Sequence, residues 1–206
     1  MLSTHAIVAL SLAGKITAAD IISLARRCMC LEDALAEIGR APLDLLAEAH
    51  NVMERCAANN VHIVTALDEA YPLRLRDLDR RPALLYVRGT LPPELAPSIA
   101  VVGTRSCSLH YGKVITEQFV ERWTERGAVI VSGLANGIDT IAHETSVRAR
   151  GRTVAVIASG IDRITPLAAV RLADRIVSSG GCVVSEYACG VAALPPYFPA
   201  RNRIIS

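Results

Sequence analysis

The sequence has little that would carry it into a membrane. Its longest stretches without a charged side chain, Tyr187 to Ala200 among them, fall short of the roughly 20 apolar residues that a span requires. Glycine and proline together contribute 13 and 10 residues of 206, too few for a collagenous or low-complexity chain. Cys-x-x-Cys spacing is absent. The six cysteines, at 28, 30, 56, 107, 182 and 189, form neither a zinc or redox pattern nor a disulfide framework, so reduced thiols in a cytoplasm are expected. A Gly-x-Gly-x-x-Gly fingerprint and a Gly-Lys-Ser/Thr triphosphate loop are also missing, so ordinary hydride transfer and ATP hydrolysis lose support. The apolar run Ala6 to Ala13 has no Lys or Arg before it and reads as a first helix rather than a signal peptide.

What is present suits a globular protein. Hydrophobic residues make up 51% and charged residues 20%, and the length favours one sizeable domain with a small one. The net charge of +2 is unevenly spread. Residues 1–97 carry 10 basic and 12 acidic side chains and residues 98–206 carry 12 and 8, which makes the second half the anion-seeking one. Twenty of the 22 basic residues are arginine, whose planar fork suits bidentate phosphate contacts and leans the chain toward a polyanionic partner.

From Ser3 to about Asn60 apolar residues recur at helical spacing, as in Ile21, Ile22, Leu24, Ala25 and Leu43, Leu45, Leu46, Ala49, Val52, Met53. Three or four short helices are expected over 1–60, with Thr17 before Asp20 as a cap and Glu32 and Asp33 opening another. Val61 to Leu67 and Ala83 to Val87 read as strands within a 61–97 segment that ends in a proline-containing linker. From 98 the pattern turns regular, with strands at Ile99–Val102, Val129–Val131, Thr153–Ala158 and Cys182–Ser185. Between them stand helices at Tyr111–Arg126, Ile138–Arg150 and Leu167–Ser178. Short Val/Ile/Ala runs alternating with helices predict an α/β, doubly wound, mostly parallel sheet over 98–206.

In such sheets ligands bind outside the carboxyl ends of the strands. Val102-Gly103-Thr104-Arg105-Ser106 offers a glycine, a hydroxyl and a guanidinium suited to a phosphate, or simply a glycine turn with a solvated arginine. Val131-Ser132-Gly133-Leu134-Ala135-Asn136-Gly137-Ile138-Asp139 has two glycines four apart, which lets backbone approach a ligand closely. Asp139 and His143 share a helix face. A helix-capping aspartate with an oriented histidine is favoured over a metal or general-base pair, which would need a further ligand. Ala158-Ser159-Gly160-Ile161-Asp162-Arg163 is a third such turn. Leu194 to Ser206 sets Tyr197 and Phe198 near Arg201 and Arg203, a proline-rich loop leading into a helix that starts at Asn202 or Arg203. Its aromatic and arginine residues could also stack bases and neutralise phosphates.

The ordered set Tyr71-Pro72, Leu85-Tyr86-Val87-Arg88-Gly89, Val101-Val102-Gly103-Thr104-Arg105, Tyr111-Gly112, Val131 to Asp139, Ala142-His143, Gly160-Ile161-Asp162-Arg163-Ile164, Ser185-Glu186 and Phe198 to Ile205 resembles the DNA-processing protein A family, DprA or Smf, from about residue 60 onward. The resemblance implies a Rossmann-like domain that binds single-stranded DNA and delivers it to the RecA recombinase in natural transformation. It implies no catalysis, no cofactor, no metal and no membrane partner. Carried over by motif, the strand-binding residues are Gly103, Thr104 and Arg105; Ser132, Gly133 and Leu134; Gly137, Ile138 and Asp139; and Phe198, Arg201, Asn202 and Arg203. Homodimerisation is a property of the full-length family.

Two departures stand beside the resemblance. Gly14-Lys15-Ile16-Thr17 occupies the place of a Gly-x-Gly hairpin, and the sequence given stops at Ser206 where family members continue. A sheet incomplete at its C-terminal side, with an apolar edge that self-associates, is the expectation from that stop. Two competing readings are a nucleoside-phosphate hydrolase of the lysine-decarboxylase-like type, whose Pro-Gly-Gly-x-Gly-Thr pattern is absent, and a nonfunctional partial chain.

Overall fold

A computed structural model describes residues 1–14, 16–39 and 42–206. Lys15 and the side chain of Leu43, both named above, lie outside the described residues. The chain divides into two compact units, Met1–Tyr86 and Val87–Ser206.

In the first unit, α1 (Thr4–Leu12), α2 (Ala18–Arg27), α3 (Leu31–Glu37) and α4 (Pro42–Ala58) precede β1 (Val61–Thr65), the one-turn α5 (Leu73–Arg76) and the start of β2 (Leu84–Gly89). Helix α1 is the apolar run beginning near Ala6. Ala6, Ile7, Val8, Ala9 and Leu10 are all buried, so it is wrapped on several sides rather than amphipathic. Thr17 and Asp20 form the reciprocal cap expected for α2, each side chain accepting from the other's backbone N–H. β1 and β2 approach where Ala66 N donates to Ala83 O at 2.8 Å. Residues 61–86, which the pattern placed with the linker segment, cluster here with the helices.

In the second unit, the end of β2 is followed by β3 (Ser98–Ala100), α6 (Val114–Glu125), β4 (Val129–Ser132), α7 (Ile138–Arg148), β5 (Thr153–Ile157), α8 (Val170–Ser178), β6 (Cys182–Ser185) and α9 (Tyr197–Ile205). The strands run in the order β6-β5-β4-β3, all parallel, with Ala100 opposite Val131, Ser132 opposite Ala155 and Ile157 opposite Ser185. Every residue of β5 and β6 is buried, which is why these strands appear in the sequence as unbroken apolar runs without alternation. Helices α6, α7 and α8 pack in sequence beside one another, as right-handed crossovers between strands stepping in one direction require. Val120, Ile130 and Ala142 form a core cluster between helices and sheet, with Ile99, Val101 and Trp123 packed on it. The fold is the expected α/β class with a mostly parallel, Rossmann-like sheet.

One boundary needs correction. Helix α9 starts at Tyr197, not at Asn202 or Arg203. Pro199 falls in its first turn, where the backbone N–H has no helical partner to lose, so a proline there marks a helix start and not a loop.

A glycine-turn site at the carboxyl ends of the strands

The first two strand-end turns are locked together. Ile138 N donates to Thr104 O at 3.2 Å, and Ser132 Oγ donates to Val101 O at 2.6 Å. A Cβ on Gly103 would lie 2.6 Å from Ile138 Cγ1, and one on Gly137 would strike Thr104 O and the Arg105 backbone. Gly137 has φ +83° and ψ −128°, a backbone state that essentially only glycine adopts. Together these glycines let the Gly103-Thr104-Arg105 turn rest on the first residues of α7. Gly103, Thr104 and Arg105 themselves are exposed.

The second turn is braced from inside. Ser132, Gly133 and Leu134 are buried, with Leu134 at φ +57°. Asp139 Oδ2 accepts from Gly133 N at 3.1 Å and Ala135 N at 3.4 Å. This corrects the expectation of a helix-capping aspartate: the N-cap of α7 is Gly137, and Asp139 ties down the turn before it. Burial pushes the Asp139 carboxyl above its ordinary value, against the pull of the Ala135 and Gly133 amides and of Arg201. Nor is His143 oriented by Asp139. Its Nδ1 lies 2.7 Å from Thr153 Oγ1, and because that hydroxyl donates to Ile130 O at 2.7 Å, Nδ1 is the nitrogen that carries hydrogen.

Arg201 crosses from α9 to the same turn. Only 5% exposed, it donates to Gly133 O at 3.0 Å and to Val156 O on β5, while Nε donates to Asn202 Oδ1 at 3.3 Å. Burial lowers its pKa and the Asp139 carboxylate raises it. Phe198, one turn earlier on α9, sits under Arg105, whose guanidinium carbon is 5.4 Å from the ring centroid, a cation–π spacing. Arg203 Nη2 donates to both carboxylate oxygens of Glu186 at 2.6 Å, and Asn202 is exposed. The residues chosen from sequence thus separate by position. Gly103, Thr104, Arg105 and Asn202 face solvent, and Gly137, Ile138, Phe198 and Arg203 are half-buried. Ser132, Gly133, Leu134, Asp139 and Arg201 are enclosed.

An aromatic pair escaped the sequence reading. Tyr187 and Tyr197 stack with centroids 4.1 Å apart and planes 21° apart, both half-buried. Burial first, then Glu186, pushes the Tyr187 hydroxyl up to about 12, so it stays a neutral donor. The signal available was Tyr197 beside Phe198. Its partner ten residues upstream had no local mark.

His143 gives the unit a predictable acid sensitivity. Burial drives its pKa from 6.5 to about 3, opposed by the Ser132 backbone and aided by Arg201. Between those values the unfolded chain binds a proton that the folded chain refuses. Stability should therefore fall as pH drops through this window, by up to about 1.4 kcal/mol per pH unit. Asp139, with its folded pKa raised above its ordinary value, acts in the opposite sense and offsets part of the loss. Urea unfolding from pH 7 to 4 should show this slope, and His143→Gln should remove about one proton's worth of it. A slope untouched by that substitution would assign the acid loss elsewhere.

The chain is similar to known proteins over most of its length. The family described as DNA recombination-mediator protein A matches residues 62–206. DNA processing protein DprA of Streptococcus pneumoniae is 44% identical over 140 residues, covering 68% of this chain and 49% of that protein. Protein Smf of Escherichia coli is 40% identical over 147 residues, 71% of this chain and 39% of that one. The X-ray structure of DNA processing protein A from Streptococcus pneumoniae superposes with a TM-score of 0.79 at 33% identity, covering 100% of this chain and 75% of the other. DNA processing protein A from Helicobacter pylori, whose structure is described for its single-stranded DNA binding mode, gives a TM-score of 0.58 at 27% identity over 70% of this chain and 64% of the other. The chain spans about half or less of the length of these curated relatives.

Proposed function

Because the chain belongs to the DNA recombination-mediator protein A family, we propose that it binds single-stranded DNA across the glycine turns and delivers it to a RecA-type recombinase, in the cytoplasm, during uptake of transforming DNA. The role is one of binding and hand-over, with no bond made or broken.

The observation that carries this reading is the placement of Arg105. Its exposed guanidinium stands over the Phe198 ring, beside the exposed backbone of Gly103 and Thr104. A phosphate can meet the guanidinium edge and the turn amides while a base stacks on nearby aromatic surface, a combination that accepts any sequence and needs unpaired bases. Arg201, Asp139, Gly133 and Leu134 act as positioning residues, holding the turns in shape. A platform of this kind favours single strands over duplex and weakens steeply with salt.

The test measures affinity for a labelled oligothymidylate and for duplex of equal length at matched salt. Arg105→Ala should weaken single-strand binding by about 1 to 3 kcal/mol, the worth of a charge-assisted contact. Arg26→Ala, exposed on α2, should leave it nearly unchanged. Equal losses from the two variants, or equal affinity for duplex and single strand, would reduce the binding to net charge and sink the pocket. Co-sedimentation of recombinase with the protein–DNA complex tests the hand-over.

A further inference from the structure

At the amino ends of β4 and β5, the edge of the sheet away from the glycine turns, lies a cavity of about 330 Å³ whose lining includes Pro93, Gly127, Val129, Arg150, Gly151 and Arg152. Apart from Thr124 its lining is glycine, alanine, proline and valine, and its cations are two exposed arginines. Neither Arg150 nor Arg152 spends its guanidinium on a hydrogen bond or ion pair among the described residues. The carbonyl ends of α6 and α7 gather here and would attract cations. However, those carbonyls are already met by backbone donors. Gly127 N donates to Thr124 O at 2.9 Å, Ala149 N to Thr145 O at 2.9 Å and Gly151 N to Ser146 O at 2.9 Å. Helix capping therefore does not account for the two side chains.

The backbone adds a second indication. Helices α6 and α8 end on glycines in the left-handed region, Gly127 at φ +79° and Gly180 at φ +83°. Helix α7 puts Arg150 there at φ +58°, although Gly151 is next in the chain. A non-glycine residue in that state is strained, because its Cβ crowds the backbone. The fold accepts the strain at Arg150, a residue of the cavity lining. Arg126 is exposed beside Gly127, and the acidic side chains next to the lining are Glu94 and Glu125, so three arginines stand against two carboxylates at this edge.

We infer that the cavity is a second phosphate site, taking a phosphodiester group from the same strand that the glycine turns hold, an inference that rests on the proposed function. Two guanidinium forks match the two free oxygens of a phosphodiester, and the small-residue walls leave room for a sugar. A nucleic-acid strand presents phosphates in series, so one molecule can occupy both edges of the sheet. The four residues of β4 separate those edges by about 13 Å at roughly 3.3 Å per residue. The sheet and the helices packed on it fill that straight line. A strand must therefore go round a helix about 10 Å thick, a path of roughly 33 Å or about ten nucleotides at roughly 3.4 Å each, and a 6-mer cannot reach both sites.

The experiment uses the full chain with oligothymidylates of 6 and 30 nucleotides across a salt series, comparing wild type, Arg150→Ala/Arg152→Ala and the charge-matched control Arg122→Ala/Arg171→Ala, whose residues are exposed and outside the cavity. The cavity variant should lose about tenfold on the 30-mer with little change on the 6-mer. Its salt slope on the 30-mer should flatten by about 0.7, the value for one phosphate contact removed from a single strand. The control should keep both. A cavity variant equal to wild type, a control equal to the cavity variant, or equal losses on both oligomers overturns the second site while leaving the glycine-turn site standing. Poly-glutamate displacing the 30-mer in an Arg150- and Arg152-dependent way would give the cavity to an acidic peptide instead. Wild type binding neither oligomer would remove the single-strand reading itself.

Discussion

Arg201→Ala should destabilise the Val87–Ser206 unit by about 3 to 5 kcal/mol, the cost of removing one member of a buried, hydrogen-bonded charge cluster. The guanidinium joins the carbonyls of Gly133 and Val156, which lie at the ends of two different strands, and its charge balances a buried Asp139 carboxylate. Truncation leaves two carbonyls and a carboxylate without that partner, and a void where the side chain stood. Against a typical total stability of roughly 5 to 15 kcal/mol this is a large fraction. Gly133 shows how tightly the site is built, since a Cβ there would lie 2.5 Å from the Arg201 guanidinium. Arg201→Lys keeps the charge without the fork and should fall between wild type and alanine. Urea denaturation separates bracing from direct contact. If Arg201→Ala unfolds like wild type yet loses single-strand binding, Arg201 is a ligand for the strand and the bracing role is wrong. Arg105→Ala should behave in the opposite way, losing binding at unchanged stability.

Gly137→Ala should cost about 2 to 4 kcal/mol and reduce strand binding along with it. Two penalties add at this position. The backbone sits at φ +83° and ψ −128°, and the new methyl would collide with the backbone of Thr104 and Arg105, which cannot swing aside as a flexible side chain could. Relief requires the Thr104-Arg105 turn to lift off α7, which displaces the exposed guanidinium from Phe198. Gly180→Ala is the control. Its φ is also +83°, but a Cβ there meets nothing within 4 Å, so only the backbone strain of about 1 kcal/mol applies. Thermal or urea unfolding of the two variants isolates the contact between turns. Equal losses would show that the two turns are not locked.

Much of the fold was legible because its signals are local. Strand β5 is wholly buried and reads as an uninterrupted apolar run, and Thr17 with Asp20 spells its cap within three residues. The start of α9 was misplaced because Pro195, Pro196 and Pro199 look like loop punctuation, while a proline in a first helical turn costs nothing. Among the site residues, the glycines were recognisable from their spacing at strand ends. The Tyr187–Tyr197 stack had no comparable mark, since it joins the end of β6 to the start of α9.

By itself the sequence determined the α/β class, the parallel strands, the glycine turns at the strand ends and the family resemblance. Each of these rests on periodicity or on short motifs that neighbouring residues impose. Only the tertiary structure decided which arginine of the site faces solvent. Arg105 after a glycine turn and Arg201 near Tyr197 and Phe198 both read as arginines suited to a phosphate, yet one is exposed over Phe198 and the other is spent on Gly133 O and Val156 O, 68 and 45 residues away. The same applies to Asp139, which serves the preceding turn and not its own helix end. Whether a charged side chain reaches water or a buried carbonyl depends on what distant segments place beside it, and a buried charge persists only where such acceptors are waiting.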